Sequence, residues 1–433
     1  MSGSLRLFRI EARRNFGLFL FLPFAAMVWC FVFLTTSDKV VLWPQVSIAV
    51  RDSVAVVGTA VTGVAAWMAG RGRRVRIEEL LVTTAQPPVI RDLAAWATTT
   101  GWGLIGCMLG ATIVLAHASL NATWGSPLVV PVVIGLLIAA ASATWGYAAG
   151  TWFPGRFTAP LSAVVVFLFL FLPGAFSYPI QNLNFFSQSF DSVFFPVRTD
   201  LSPLHAAMLL GLTVLALGCI VLKRHRNLPA WGTALAGAAP SVACVVVLVG
   251  VGRPGTMSPL PYEPVCSQGS IEVCMHPAYQ AVQAETVDVI ERLTQPLVGV
   301  PGAPTKAVQV PSAAEWGLTP DGVLRFEPHE SYAFLGGGPD SLASQISGVL
   351  TYGAACCDEA QEVIRGWLLE QAGVPIAICE EDRDEGGVCT GVPRRYVPHI
   401  ERFAALPPEV RHAWLYDNYA ALTRGELTLE DLP

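Results

Sequence analysis

Charged residues are scarce in this chain of 433 residues, since only 14% of them are Asp, Glu, Lys or Arg. Soluble domains average about 25% charged residues, so the composition argues against a wholly water-soluble protein. Lysine is the rarest charged type, and the 27 basic residues include only Lys39, Lys223 and Lys306. Hydrophobic residues make up 53% of the chain, which indicates that much of it lies in a membrane.

Catalytic motifs are missing as well. The sequence has no His-Glu-x-x-His motif of zinc proteases, no Gly-x-Ser-x-Gly nucleophile elbow, and no kinase or Walker motif. The glycine-rich segment 335–341 lacks the Lys-Ser or Lys-Thr pair that a phosphate-binding loop needs. We therefore predict that this chain is not an enzyme and holds no catalytic residue, cofactor or metal.

The two parts of the chain carry opposite charge. Residues 1–253 contain 17 basic and 8 acidic residues, whereas residues 254–433 contain 10 basic and 25 acidic ones. This split predicts a polytopic α-helical membrane domain followed by an acidic α+β domain. The predicted segments are an interfacial amphipathic helix (1–15), a transmembrane domain (16–252), a Pro-rich linker (253–264) and the acidic domain (265–433).

Seven apolar stretches are long enough to cross a membrane, because a bilayer core of about 30 Å needs roughly 20 residues of helix. They cover about residues 16–36, 47–69, 93–116, 128–153, 157–176, 204–222 and 230–251. Before the first of them, apolar and Arg residues alternate in a pattern typical of a helix that lies on the membrane surface. No small-residue cleavage site follows the first stretch, so we expect that stretch to be retained.

The basic loops predict the orientation. Four Arg precede the first span, four lie in residues 70–76, and residues 223–226 are Lys-Arg-His-Arg. By the positive-inside rule these segments are cytoplasmic. Seven spans that start inside end outside, so we expect a plasma-membrane protein with a cytoplasmic N-terminus and an extracytoplasmic acidic domain.

The ten cysteines divide between the two parts. Four lie in apolar stretches, where a thiol behaves as a small hydrophobe. The acidic part contains six candidate disulfide cysteines, an even number that fits an oxidising compartment: Cys266, Cys274, Cys356, Cys357, Cys379 and Cys389. Cys266 and Cys274 predict a local disulfide hairpin. Direct bonding of the adjacent Cys356 and Cys357 would need a strained ring, so at least one is expected to pair elsewhere, and the connectivity stays open.

Three other features have both a structural and a functional interpretation. Arg51 and Asp52 lie close to the outer end of the second span. They are interpreted either as a pair at the membrane interface or as functional charges within a span. His276 is either a structural residue or a ligand, and the structural role is favoured because no second ligand is near. The acidic loop 379–389 reads as a solvated disulfide loop rather than a calcium site, because its spacing differs from an EF-hand.

The most charged segment of the first half is loop 70–92, between the second and third spans. Its arginines are followed by Ile-Glu-Glu-Leu-Leu-Val-Thr-Thr at residues 77–84, which predicts a short amphipathic helix that ends before Pro87 and Pro88. Such a helix on the cytoplasmic side suits docking of a soluble partner. The alternative is a charged loop that only determines topology.

Two of these segments resemble the membrane subunit of ABC-2 type transporters. Residues 5–14 are similar to the interfacial helix before the first span of that family, and residues 73–91 to its loop between spans two and three. The resemblance covers roughly residues 1–225 and implies a coupling helix that meets a separate ATP-binding subunit. The residues it implies for this contact are Arg73, Arg74, Arg76, Glu78, Glu79, Leu80 and Leu81.

The chain departs from that family by its seventh span and its large C-terminal domain. The segment 273–279 and the C-terminal end resemble those of uncharacterised actinobacterial membrane proteins, which implies no activity. We expect the permease subunit of an ABC exporter, with ATPase activity only on the partner subunit. Homodimers or heterodimers of permease subunits and contacts with membrane lipid are expected, and nucleic acid is not. The alternative is a membrane-anchored sensor or assembly scaffold whose outer domain binds a ligand or protein partner.

Overall fold

The computed structural model describes most of the chain. The described residues are 2–36, 40–74, 87–177, 179–186, 193–194, 201–224, 228–251, 260–267, 269–311, 315–328, 338–352, 358–376, 378–379 and 392–433. They form two compact units. We call them the helical unit, which reaches residue 251 but excludes Val40 and 193–194, and the C-terminal unit, which contains those three residues and everything described from residue 260.

Seven of the described helices are long and apolar enough to cross a membrane. They follow a first helix, α1 (Ser2–Arg14), and a single turn, α4 (Arg71–Arg74), lies among them. The seven are α2 (Gly17–Thr35), α3 (Trp43–Ala69), α5 (Pro88–Asn121), α6 (Val129–Trp152), α7 (Thr158–Phe171, extended by the 3-10 turn Leu172–Ala175), α8 (Ser202–Arg224) and α9 (Leu228–Gly250). The seven predicted apolar spans are confirmed as helices, which indicates a multi-pass membrane protein.

Several of the helices, α3 and α5 among them, are longer than the apolar stretches predicted for them. Proline occupies the first turn of both α3 and α5, where its fixed φ favours helix and its missing N–H costs nothing. α5 has 34 residues and is therefore about 51 Å long, well beyond a hydrocarbon core of about 30 Å. Its ends, including Asp92, are thus available for contacts outside the apolar layer.

The helix α3 lies at the centre of the helical unit. Of its most apolar 18 residues 61% are buried, compared with 6% in α7. Glycines of α6 make its closest contact possible: a Cβ at Gly146 or Gly150 would lie 2.2 Å from the carbonyl oxygen of Thr62 or Ala66. Small residues four apart allow two helix backbones to approach in this way.

The same device joins α2 to α5. A Cβ added at Gly106 or Gly110 would lie 2.7 Å from the carbonyl oxygen of Phe21 or Ala25. At the far end of α5, the N–H of Trp43 donates to the carbonyl of Trp124 at 3.0 Å. The chain that leaves α2 and the chain that leaves α5 therefore meet at one end of the helical unit.

The C-terminal unit contains a five-stranded sheet of order β1-β2-β3-β5-β4. Its strands are β1 (Val265–Ser267), β2 (Glu272–Met275), β3 (Lys306–Gln309), β4 (Gly317–Leu318) and β5 (Val323–Phe326). β2, β3 and β5 are parallel, and β1 and β4 pair antiparallel with β2 and β5. A smaller parallel pair joins β6 (Ile378–Cys379) to β7 (Val392–Pro393).

Five helices accompany these strands in the described part of the unit. They are α10 (Gln283–Thr294), α11 (Pro339–Tyr352), α12 (Glu359–Gln371), α13 (Val397–Ala405) and α14 (Pro408–Thr423). α10 lies in the crossover that the parallel pair β2–β3 requires. α12 is buried along almost its whole length, and a capping box of Asp358 and Gln361 begins it. The predicted α+β fold of this part is confirmed.

The predicted hairpin disulfide is confirmed as well. Cys266 and Cys274 lie opposite each other in the register of β1 and β2 and are bonded. The other candidates, Cys356, Cys357 and Cys389, lie outside the described residues, as does the side chain of Cys379. Their pairing stays a prediction.

Candidate docking face of the helical unit

The residues predicted to contact a partner are only partly described. Arg76, Glu78, Glu79, Leu80 and Leu81 lie outside the described residues. For Arg73 the structure describes the backbone of α4 but not the side chain, whereas Arg74 is described in full. The docking role of these residues therefore stays a prediction.

These helix ends lie together, and we call them the basic end: α1, α4, the first turn of α5, the last turns of α3, α6 and α8, and Arg156. Gly70 after α3 lies beside Pro154 after α6, where an added Cβ would be 3.5 Å from the Pro154 Cα. This places the exit of the central helix next to the end of α6.

Arg74 closes the C-terminal end of α3. Its guanidinium lies 3.8 Å from the ring centroid of Trp67 and donates a hydrogen bond to the Trp67 carbonyl. Cations are favourable at helix C-termini, where the last carbonyls lack intrahelical partners. The first part of the predicted docking loop is thus held against the central helix.

Lys223 binds the last carbonyl groups of α6. Its ammonium donates to the carbonyls of Thr151 at 2.8 Å and Trp152 at 3.4 Å. The indole N–H of Trp152 donates in turn to the carbonyl of Cys219 at 3.0 Å. The last turns of α6 and α8 are therefore joined in both directions.

Asp92 links the return of the loop to α8. Its carboxylate accepts from Nε of Arg224 at 2.8 Å and from a second guanidinium nitrogen at 3.4 Å. Asp92 also lies in the first turns of α5, where the helix dipole favours a negative charge. The pair is partly exposed, so it contributes about 0.2–1 kcal/mol.

Asn15 joins α1 to α5 and is fully buried. Its amide donates to Oγ1 of Thr98 at 3.1 Å and Oγ1 of Thr99 at 2.8 Å, and its carbonyl oxygen accepts from the N–H of Gly17 at 2.8 Å. The indole of Trp102 adds a bond to the carbonyl of Ala12 at 3.0 Å. Sequence reasoning missed this joint, although an Asn between an amphipathic and an apolar helix was a visible signal.

These contacts lie at the two described ends of the loop, residues 70–74 and 87–92. The loop leaves α3 and enters α5; α5 is tied to α8 through Asp92 and to α1 through Asn15. A force on the loop would therefore act directly on two helices and, through short polar contacts, on two more.

Arg51 and Asp52, which are adjacent in α3, form an ion pair with each other. Nε and Nη2 of Arg51 donate to Oδ1 of Asp52 at 2.8 and 2.6 Å. α3 begins at Trp43, four residues before its predicted start, so the pair lies about 12 Å inside the helix. Gly135 of α6 packs against the Arg51 backbone, where an added Cβ would be 3.0 Å from the Cα. The backbone of Arg51 is thus part of the contact between α3 and α6.

His276 has a structural role in the C-terminal unit. Its Nδ1 accepts from the N–H of Ala278 at 3.0 Å and begins the 3-10 helix Pro277–Val282. Its backbone N–H donates to Oε1 of Gln309 at 2.9 Å, and its ring packs 4.6 Å from that of Tyr262. Burial lowers the pKa of His276 to about 4, so the ring is neutral at pH 7.

The described residues offer no usable metal site. The one cluster of potential ligands among them is Cys266, Glu272 and Cys274, and its two sulfurs are bonded to each other. Thiolates are the form that binds metal, so an intact disulfide excludes this cluster.

A buried polar network that the sequence did not reveal joins α11 to α12. The hydroxyl of Tyr352 donates to Oε1 of Glu362 at 2.6 Å, and Arg365 donates to the Tyr352 hydroxyl and to Oγ of Ser344, each at 3.0 Å. Burial and the bond to Glu362 raise the pKa of Tyr352. Buried charges are tolerated when paired in this way, so the network positions the two helices.

An open cavity of about 730 Å³ lies in the C-terminal unit, between α12, α14 and the 3-10 turn Gln295–Leu297. Trp367 lines it, and its buried indole N–H has no hydrogen-bond partner among the described residues. The exposed Glu409, His412 and Tyr416 of α14 form its other wall. Its size is that of a small-molecule or peptide site.

Neither the family models, nor the curated proteins, nor the solved structures compared with this chain contain a match. Its function therefore has to be inferred from its residues and their geometry.

Proposed function

We propose that this chain is the membrane subunit of an ABC-type exporter, driven by a separate ATP-binding subunit that docks on loop 70–92. The observation that carries the proposal is the construction of the basic end. The loop leaves the most buried helix, α3, and enters α5, which Asp92 and Asn15 tie to α8 and α1. A docking segment between such helices is well placed to transmit movement.

The distribution of charge supports an orientation with the basic end in the cytoplasm. Arginine or lysine occurs in α1, in α4, in the first turn of α5, in the last turn of α8 and at residue 156. The described connections at the other end, residues 41–42, 122–128 and 179–186, contain no charged residue. By the positive-inside rule the uncharged end faces outward in the plasma membrane.

The C-terminal unit is then extracytoplasmic, because it follows the seventh span. Its disulfide supports this orientation, since disulfides persist in oxidising compartments. In this arrangement the ATP-binding partner and the C-terminal unit are on opposite sides of the membrane. The C-terminal unit would receive or recognise cargo, and a homodimer or heterodimer of membrane subunits would form the pathway.

The mechanism assigns no chemistry to this chain. ATP binding and hydrolysis on the partner would move the loop, with Glu78, Glu79, Leu80 and Leu81 as the contact. The helix α3 would carry that displacement into the span that contains Arg51 and Asp52. The ion pair Asp92–Arg224 would make α8 follow the start of α5.

The test is purification of the tagged full-length protein from its host in mild detergent, with mass spectrometry of what co-purifies. The test variant is Glu78→Lys/Glu79→Lys. The matched control, Glu370→Lys/Glu401→Lys, makes the same charge change at two exposed positions of the C-terminal unit. We expect an ABC ATPase with the wild type and the control, and its loss with the test variant.

Absence of an ATPase from the wild-type preparation, even after cross-linking, would contradict the exporter. Equal loss with both variants would contradict docking on the loop. In the first case a membrane-anchored sensor or assembly scaffold becomes the better explanation, and the cavity beside Trp367 is the observation that favours it. The ligand or protein that co-purifies would then have to depend on residues of that cavity rather than on loop 70–92.

A further inference from the structure

The helix α1 carries three arginines on one face. Arg6, Arg9 and Arg13 are three and four residues apart, so they lie within a sector of about 60° of the helix. All three side chains are exposed. The stripe lies roughly 120° around the helix from Ala12 and Asn15, which hold α1 to α5.

The stripe differs from the other basic groups of the basic end. Arg74, Lys223 and Arg224 are engaged with helix carbonyls or with Asp92. In the described part of the chain, neither a hydrogen bond nor an ion pair involves Arg6, Arg9 or Arg13. Three like charges held side by side without a counter-ion repel one another, which favours an anionic ligand supplied from outside the chain.

The position of α1 determines which anion it meets. α1 ends at Arg14 and the membrane-spanning α2 begins at Gly17, so only two residues separate them. Two residues reach at most about 7 Å, and the headgroup layer on each side of the hydrocarbon is about 5–7 Å thick. The buried Asn15 joint prevents α1 from swinging away.

α1 and the start of α2 also carry exposed apolar side chains. Phe8 and Ile10 of α1 are 44% and 46% exposed, and Phe16 and Phe19 are 51% and 71% exposed. Aromatic and aliphatic side chains at this depth insert between the headgroups and the acyl chains. Arginines on the same short helix are therefore within reach of the lipid phosphates.

We propose that Arg6, Arg9 and Arg13 form a binding site for anionic phospholipid headgroups of the cytoplasmic leaflet. A guanidinium is planar and binds phosphate oxygens through two parallel N–H donors, which suits a phosphodiester better than a point charge would. The site needs only that α2 crosses a membrane with its N-terminal end in the cytoplasm, so it stands whether or not the chain belongs to an exporter.

The expected strength follows from the number of arginines. Each basic residue near an anionic membrane surface strengthens binding by about fivefold, and three together by on the order of a hundredfold. Neutral headgroups lack the net charge, so the same variant should leave their binding unchanged.

The experiment measures lipid binding to the purified full-length protein by native mass spectrometry. Phosphatidylglycerol and phosphatidylcholine with the same acyl chains are titrated separately, and bound lipids are counted. The test variant is Arg6→Gln/Arg9→Gln/Arg13→Gln. The control, Arg14→Gln/Arg71→Gln/Arg156→Gln, removes the same charge from the basic end but leaves the stripe intact. A third variant, Arg6→Lys/Arg9→Lys/Arg13→Lys, keeps the charge.

We expect the wild type and the control to bind phosphatidylglycerol at least tenfold more tightly than phosphatidylcholine. The Gln stripe variant should lose this preference, and the Lys variant should retain part of it, which also excludes misfolding as the cause. Equal loss in the control and the stripe variant would overturn the proposal, as would a wild type without preference. A stripe variant that binds lipid normally but loses a co-purifying soluble protein would overturn it in favour of a protein site.

Discussion

The contact between α3 and α6 gives the sharpest prediction about the helical unit. A Cβ at Gly150 would lie 2.2 Å from the carbonyl oxygen and 2.8 Å from the Cα of Ala66, both of which are backbone atoms. Ordinary contacts of a Cβ begin at about 3.4 Å, so Gly150→Ala forces the two helices apart by on the order of 1 Å. No side-chain rotation relieves this clash.

Overpacking of this kind costs about 1–3 kcal/mol. Because α3 is the most buried helix, its displacement also disturbs its contacts with α2 and α5. At roughly 2–4 °C per kcal/mol for a unit of this size, we expect the apparent unfolding temperature to fall by about 2–12 °C. The assay is intrinsic tryptophan fluorescence of the detergent-solubilised protein during heating.

The matched control is Gly101→Ala in α5. An added Cβ there meets nothing within 4 Å. Replacing glycine by alanine within a helix is favourable by about 0.5–1 kcal/mol, so this variant should unfold at the wild-type temperature or slightly above it. If Gly150→Ala were as stable as Gly101→Ala, the close backbone contact of α3 and α6 would be refuted.

Three further predictions concern polar contacts. Asn15→Ala removes three buried hydrogen bonds, and leaving their partners unpaired costs about 1–3 kcal/mol. Trypsin should therefore cleave α1 roughly tenfold faster, and an unchanged cleavage rate would contradict the contact between α1 and α5. A double-mutant cycle of Asp92→Asn and Arg224→Gln should give a coupling energy of about 0.2–1 kcal/mol that 1 M salt abolishes; no coupling at low salt would exclude the ion pair. Burial lowers the pKa of His276 from 6.5 to about 4, so between these pH values the folded state binds fewer protons than the unfolded state. Stability should therefore be lost as pH falls from 6.5 to 4. His276→Gln should flatten this dependence, and an equal pH dependence in the wild type and the variant would refute the prediction.

Much of the architecture was predictable because it depends on local composition. A stretch of about 20 apolar residues forms a helix in a membrane whatever its neighbours are, and all seven predicted stretches are helices. The disulfide of Cys266 and Cys274 was also predictable, since a short turn brings two cysteines eight residues apart onto facing strands. The exact ends of α3 and α5 were not, because their helices continue past the apolar residues.

The contacts of the candidate docking face needed the tertiary structure. Asn15 and Thr98 are 83 residues apart, and Asp92 and Arg224 are 132 residues apart. No periodicity in a single sequence tells which helices are neighbours or which of their faces meet.

The sequence by itself determined which segments are apolar enough to cross a membrane, where the positive charges concentrate, and that the C-terminal part differs in charge from the rest. These are properties of single segments and follow from transfer of side chains between water and hydrocarbon. Only the tertiary structure decided that α3 is the central helix, that Gly146 and Gly150 bring α6 against it, and that Asn15 anchors α1. The reason is that packing depends on the shapes of two surfaces at once, and each surface alone is compatible with many partners.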